Sequence, residues 1–182
     1  MEFDDEKRSD KIMKSSGEFD EKIHTHLMSV WRESKTFFSV GGKEGMLFLT
    51  DNHFIFLRRT ERMKKWWKAA VSRQVITLLQ NSNTILRHDG YDDRDLSIDL
   101  DELKPKFVSK ITFDNILEIE EEEKTWGTVL KMKAVEDGKK REYQFSIVQD
   151  WVNYPIKDPT KYLRVDWKPC IDFIKSKQRI TK

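Results

Sequence analysis

Between Arg58 and Arg73 seven basic residues stand against one acid, and the bases Arg58, Arg59, Arg62, Lys64, Lys65, Lys68 and Arg73 surround the pair Trp66 and Trp67. This combination suits binding. Indole rings sit favourably at the level of lipid headgroups, and lysine and arginine are drawn to anionic lipid by about 1 kcal/mol each near the surface. On that reading Trp66 inserts and the bases hold an anionic membrane. The same groups suit single-stranded nucleic acid, whose bases stack on aromatic rings, but no basic groove is evident elsewhere and nucleic acid ranks below lipid. A third reading packs Trp67 on the domain and turns the cations toward solvent, a protein partner or the acidic run from Asp89 to Glu102, which sets seven acids against one base.

The remaining titratable groups give no catalytic pattern. Asp89, Asp92, Asp93, Asp95, Asp99 and Asp101 lack the mid-loop glycine and terminal glutamate of a calcium-binding EF-hand. His24 and His26 are two apart, which on a helix directs them roughly 200° from each other and spoils shared ligation, so both are expected on the surface. His53 and His88 have no cysteine neighbour, and neither a Gly-rich phosphate loop nor a Ser-centred elbow occurs. Cys170 falls on an apolar stripe, the setting of a buried inert thiol. No enzyme, cofactor or metal is expected.

The chain of 182 residues is long enough for one domain with an insertion. Charged residues make up 36% and hydrophobic ones 37%, with six Trp and eleven Phe to fill a core, while the net charge of +2 is too small to indicate nucleic acid by itself. The longest apolar runs, Met46 to Leu49 and Phe54 to Leu57, fall far short of the roughly 20 residues of a membrane-spanning helix. Met1 to Gly17 alternate in charge without an apolar stretch, which argues for a mobile tail and against a signal peptide. The lone Cys170 allows no internal disulfide and fits a cytoplasmic protein.

The elements that must position these groups follow from periodicity. Phe19, Ile23, Leu27, Val30 and Trp31 recur at helical spacing and predict an amphipathic N-terminal helix over 18–35. A strand is expected at Thr36 to Val40. Gly45 to Thr50 and His53 to Arg58 flank Asp51-Asn52, residues tolerant of positive φ, and predict a hairpin. Trp67, Val71, Val75, Leu78, Leu79, Ile85 and Leu86 continue at helical spacing through an insertion spanning 60–106. Strands resume at Val108 to Phe113, Ile116 to Glu123, Val129 to Val135 and Arg141 to Val148, the last two joined by Glu136-Asp137-Gly138-Lys139. Their alternation of apolar and polar residues marks one buried and one wet face. Asp166 as cap, Pro169 in the first turn and Trp167, Cys170, Ile171, Phe173 and Ile174 as a stripe predict a C-terminal helix, with a short tail from 178.

The run Gly45-Met46-Leu47-Phe48-Leu49-Thr50-Asp51-Asn52-His53-Phe54-Ile55-Phe56-Leu57 resembles the signature hairpin of GRAM and related PH-like domains. Ile111-Thr112-Phe113-Asp114-Asn115-Ile116-Leu117-Glu118-Ile119 looks like that family's next landmark, and the later hairpin and terminal helix complete the order. The resemblance covers roughly 36–60 and 107–177. It implies an α+β, mainly β domain at 36–177: a partly open antiparallel barrel of about seven strands capped by the C-terminal helix and interrupted by the helical insertion. It also implies phosphoinositide binding around the loop joining the first two strands. There Ser39 to Glu44 offers only Lys43 beside Glu44, so that site is expected to be absent. The resulting expectation is a non-enzymatic adaptor or peripheral membrane module, acting at the inner face of the membrane or on a protein partner through the basic Trp helix. Its oligomeric state stays open.

Overall fold

The computed structural model describes residues 19–35, 42–149 and 161–180, with the side chains of 179–180 excluded. The expected mobile tail and the strand at Thr36 to Val40 lie outside the described residues. Seven strands form one antiparallel sheet: β1 (Thr25–Ser34), β2 (Lys43–Leu49), β3 (His53–Arg58), β4 (Val108–Thr112), β5 (Ile116–Lys124), β6 (Gly127–Glu136) and β7 (Lys139–Ile147). Three α-helices accompany them: α1 (Glu61–Gln80), α2 (Asp93–Glu102) and α3 (Lys168–Ile180).

The strand order is β4-β3-β2-β1-β7-β6-β5. Its two edge strands, β4 and β5, are consecutive in the chain and are joined only by the 3-10 turn Phe113–Asn115. The sheet must therefore bend until its edges nearly meet, without pairing. It encloses an inner core that includes Leu27, Leu47, Phe54, Phe56, Leu130 and Phe145. Helix α3 closes one end: Trp167, Cys170, Ile171 and Ile174 enter that core, and Gln178 donates through its side-chain amide to the carbonyls of Phe113 (2.6 Å) and Ile116 (2.9 Å) beside the open seam. The Asp166 carboxylate accepts from the Lys168 amide at 3.0 Å as the chain enters α3.

The predicted N-terminal helix is instead strand β1. The cause is a bulge. Leu27 pairs with Leu47 and Val30 with Gly45, so three steps on β1 match two on β2, and Ser29 takes a positive φ of 51°. The extra residue places Leu27 and Val30, three apart, on the same inner face, which imitates helical spacing. The bulge also lets the later half of β1 pair with β7 while still pairing with β2.

The β2–β3 hairpin forms as expected, closed by the Thr50 amide donating to the His53 carbonyl at 3.0 Å. Asp51 and Asn52 turn the chain without positive φ. At Gly45 a Cβ would stand 1.9 Å from the Leu57 carbonyl oxygen, so only glycine allows this close pairing. Asp137 (φ 51°) and Gly138 (φ 73°) supply the positive φ of the β6–β7 turn.

The insertion covers the outer face of β1–β3. Met28, Met46, Phe48, Ile55 and Leu57 form a second core with Met63, Trp67, Ala70 and Val71 of α1 and with Tyr91 and Leu96. Thr60 caps α1 by accepting from the Met63 amide at 3.3 Å, and Asp92 caps α2. Helix α1 stops at Gln80, short of the predicted continuation: Ile85 and Leu86 reach the inner core from extended chain, and Leu79 is 69% exposed instead of joining the stripe. No helix among the described residues is long and apolar enough to cross a membrane.

Candidate functional site: a cationic mouth

The end of the sheet opposite the β2–β3 turn opens into a cavity of about 300 Å³. Four separate segments wall it: the end of β1 (Arg32, Ser34), the start of β2 (Lys43), the stretch Pro105 to Ser109, and the β6–β7 hairpin (Glu136, Asp137, Arg141, Tyr143). Strand pairing brings them together, because Arg32 faces Lys43 on one side and Phe145 on the other, while Leu57 at the end of β3 pairs with Val108.

Arg32 is the best positioned group. Its guanidinium lies 4.6 Å from the Phe56 ring centre and 5.2 Å from that of Tyr143, and Nη1 donates to the Ser109 hydroxyl at 2.7 Å. Burial holds its pKa below the usual guanidinium value. Lys43 is also lowered, by burial first and then by the nearby charges of Arg32, Arg58 and Lys106. Among the described residues, none of Arg32, Lys43, Arg58 and Lys106 has a carboxylate within ion-pair distance. Cations that repel one another in a part-buried cleft create a positive potential that an anion relieves.

The predicted basic set divides. Arg58 stacks on Phe107 at 5.0 Å and its charge reaches the mouth. Arg59 lies over Trp67 at 5.6 Å and 3.5 Å from Glu44. Arg62 is bound by the acidic run, 2.9 Å from Asp95 and 2.9 Å from the fully buried Asp99, and these bonds raise its pKa, Asp99 foremost. The Tyr91 hydroxyl donates to the same Asp99 at 2.6 Å, and burial followed by that carboxylate pushes its pKa up. Lys64 pairs with Glu61 in the first turn of α1. Lys65, Lys68 and Arg73 are exposed on the outer side of α1, whereas Trp66 is half-buried against Trp67 and Tyr91. Arg62 thus meets the acidic segment and staples α2 to α1.

Two histidine expectations change. His26 is fully buried, stacked 4.6 Å from His88, with its Nε2 accepting the His88 amide at 3.2 Å. His24 is half-buried and 2.7 Å from Asp51. Cys170 is buried, and burial pushes its thiol up to about 12. Asp92 caps α2, Asp93 accepts from the Ile23 amide at 2.8 Å, and Asp95 and Asp99 bind Arg62, so these acids serve packing. No cluster of three metal-ligating side chains occurs among the described residues.

Sequence reasoning missed Arg32, Lys106, Ser109 and Arg141, and it judged the corresponding end from Lys43 and Glu44 alone. Glu44 is in fact buried and turned toward Arg59. The one available signal was Arg32 at the end of an otherwise apolar stretch. No family model and no curated protein matches this chain.

Proposed function

We propose that the chain is a non-enzymatic, cytoplasmic binding module of the PH/GRAM-like kind that attaches to anionic membrane by taking a phosphorylated headgroup into its cationic mouth. The observation that carries this reading is the Arg32 guanidinium, held by two aromatic rings and Ser109 inside a cavity ringed by Lys43, Lys106 and Arg141. Arginine in a fixed pose suits bidentate phosphate contacts, and the lysines at the rim supply point charge.

Co-sedimentation with vesicles tests it. Vesicles containing phosphatidylinositol bisphosphate should retain the chain more strongly than vesicles of equal charge made with phosphatidylserine. Lys43 and Lys106 are exposed, so reversing both to Glu should spare the fold. At about 1 kcal/mol per base near the surface, the double reversal should weaken binding by at least roughly tenfold. Undiminished binding in that variant would overturn the assignment to the mouth.

A second contact is favoured by one observation. Ile76 (57% exposed) and Leu79 (69%) share the outer face of α1 with Lys65, Lys68 and Ser72, an apolar and cationic surface suited to lipid or to an acidic protein partner. Losing vesicle binding in Lys65→Glu with Lys68→Glu, and not in the mouth variant, would move the function to α1. Salt-sensitive retention of a single-stranded oligonucleotide without vesicle binding would favour nucleic acid instead.

A further inference from the structure

The mouth contains an anion of its own. Glu136 ends β6 and its side chain is only 12% exposed. One oxygen, Oε2, accepts the Tyr143 hydroxyl and stands 3.5 Å from Arg141 Nε. That approach provides attraction without a hydrogen bond, because Nε is buried and has no acceptor. The charge of Glu136 also acts on Arg32. The other lining acid, Asp137, lies exposed in the hairpin turn, so Glu136 is the carboxylate placed among the cations.

Resting on the anion-binding reading above, we infer that Glu136 is a built-in counter-anion that restrains the mouth, partly neutralising Arg141 and Arg32 while Tyr143 holds it just short of a full bond to Arg141. The two features act in opposite senses, the carboxylate weakening capture and the open donor preserving it. The carboxylate lowers the positive potential that an incoming phosphate meets. The unpaired Arg141 Nε–H remains a buried donor for a ligand oxygen, and an unsatisfied donor is a cost that a ligand removes. Tyr143 is the positioning residue. Burial and then the Glu136 carboxylate push its pKa up to about 12, so it keeps the proton that it donates.

Two substitutions of opposite sign test this, with inositol trisphosphate as the calorimetric probe and the full chain as receptor. Glu136→Gln keeps the shape and an acceptor for Tyr143 but removes the charge. Affinity should rise by about threefold to tenfold, and the gain should shrink as salt is added. Tyr143→Phe keeps every charge but releases the carboxylate toward Arg141, and affinity should fall. Unchanged unfolding midpoints show that both variants are folded. If the parent binds and Glu136→Gln binds equally or more weakly, the counter-anion role is overturned while the anion site stands. If both substitutions tighten binding, a general loosening is at work and the role is again overturned. Binding by Glu136→Gln where the parent shows none supports it. Absence of binding by the parent and by Glu136→Gln overturns the anion site and this role together.

Discussion

The two halves of the sheet solve burial differently. Strands β2 and β3 carry unbroken apolar runs: Leu47, Leu49, Phe54 and Phe56 enter the inner core, while Met46, Phe48, Ile55 and Leu57 enter the outer one beneath α1. Strands β5 to β7 alternate, with Ile119, Met132 and Phe145 inside and Glu120, Lys131 and Gln144 outside. Unbroken runs require a cover on each face, whereas alternation tolerates water on one. The insertion is therefore first a structural layer over the doubly apolar half. The candidate site lies where the two halves meet, drawing Lys43 from one, Arg141 and Glu136 from the other, and Arg32 from β1, which pairs with both.

The largest effect that would sharpen this contrast is expected at Trp67, which is fully buried under α1. Trp67→Ala should cost about 3–5 kcal/mol, by lost transfer energy and an unfilled cavity. Trp126, in the β5–β6 turn, is 47% exposed, and its truncation should cost less than about 1 kcal/mol. Urea unfolding of both variants measures the difference. Equal losses would mean that α1 does not cover the sheet as described.

The same contrast explains what could be read in the sequence. Alternation in Leu130 to Ala134 and Tyr143 to Ile147 identifies strands with one wet face, and the turn at Asp137-Gly138 sets their register. The runs around Asp51-Asn52 identify the β2–β3 hairpin, and their lack of alternation is the signature of the second cover that α1 supplies. Strand β1 was hidden because the bulge at Ser29 turned a two-residue period into three. The mouth was hidden for another reason. Arg32, Lys43, Lys106 and Arg141 come from four segments whose proximity depends on the bend of the whole sheet, so no local pattern marks them. The dense bases of Arg58 to Arg73 drew notice instead, and Arg59 and Arg62 proved to be tied to Glu44, Asp95 and Asp99.

Acid should act chiefly on the covered half. His26 is held down to about 3 and His88 to about 4; burial comes first in both, followed by His88 and Arg87 for His26 and by Arg73 for His88. Gln74 ties this pair to α1, lying 3.0 Å from His88 Nε2 while bonding both the amide (2.7 Å) and the carbonyl (2.8 Å) of Met28. Tyr91 and Phe48 close the pocket around His26, and Asp89 acts on His88 in the opposite sense. The unfolded chain takes up both protons near the ordinary value of 6.5 and the folded chain does not. Their contribution is therefore complete above that value and is lost as pH falls through it, levelling off only below the folded values. Between pH 7 and pH 5 the loss should be roughly 2 kcal/mol per histidine. His26→Gln should remove its share of that slope in urea unfolding, and an unchanged slope would show that His26 is accessible to protons in the folded chain.

The smallest effect belongs to the wet face, where its smallness carries the meaning. Lys131 reaches Glu120 (3.2 Å) and Glu122 (3.1 Å) across the β5–β6 pair, and Lys133 reaches Glu118 (2.8 Å). Donating to these carboxylates raises both lysines, and accepting from Lys124 and Lys131 lowers Glu122. The groups lie in water, where attraction is screened and ordering long side chains offsets much of it. Lys131→Ala should leave the unfolding midpoint unchanged in physiological salt. Its cost should show in association, because β5 is a sheet edge and its charged face opposes pairing with another chain. Replacing Glu118, Glu120 and Glu122 together by Thr should leave the monomer folded but raise its light scattering with concentration. A fall in folding stability comparable to that of Trp67→Ala would show that the ladder supports the β5–β7 half as the buried insertion supports the other.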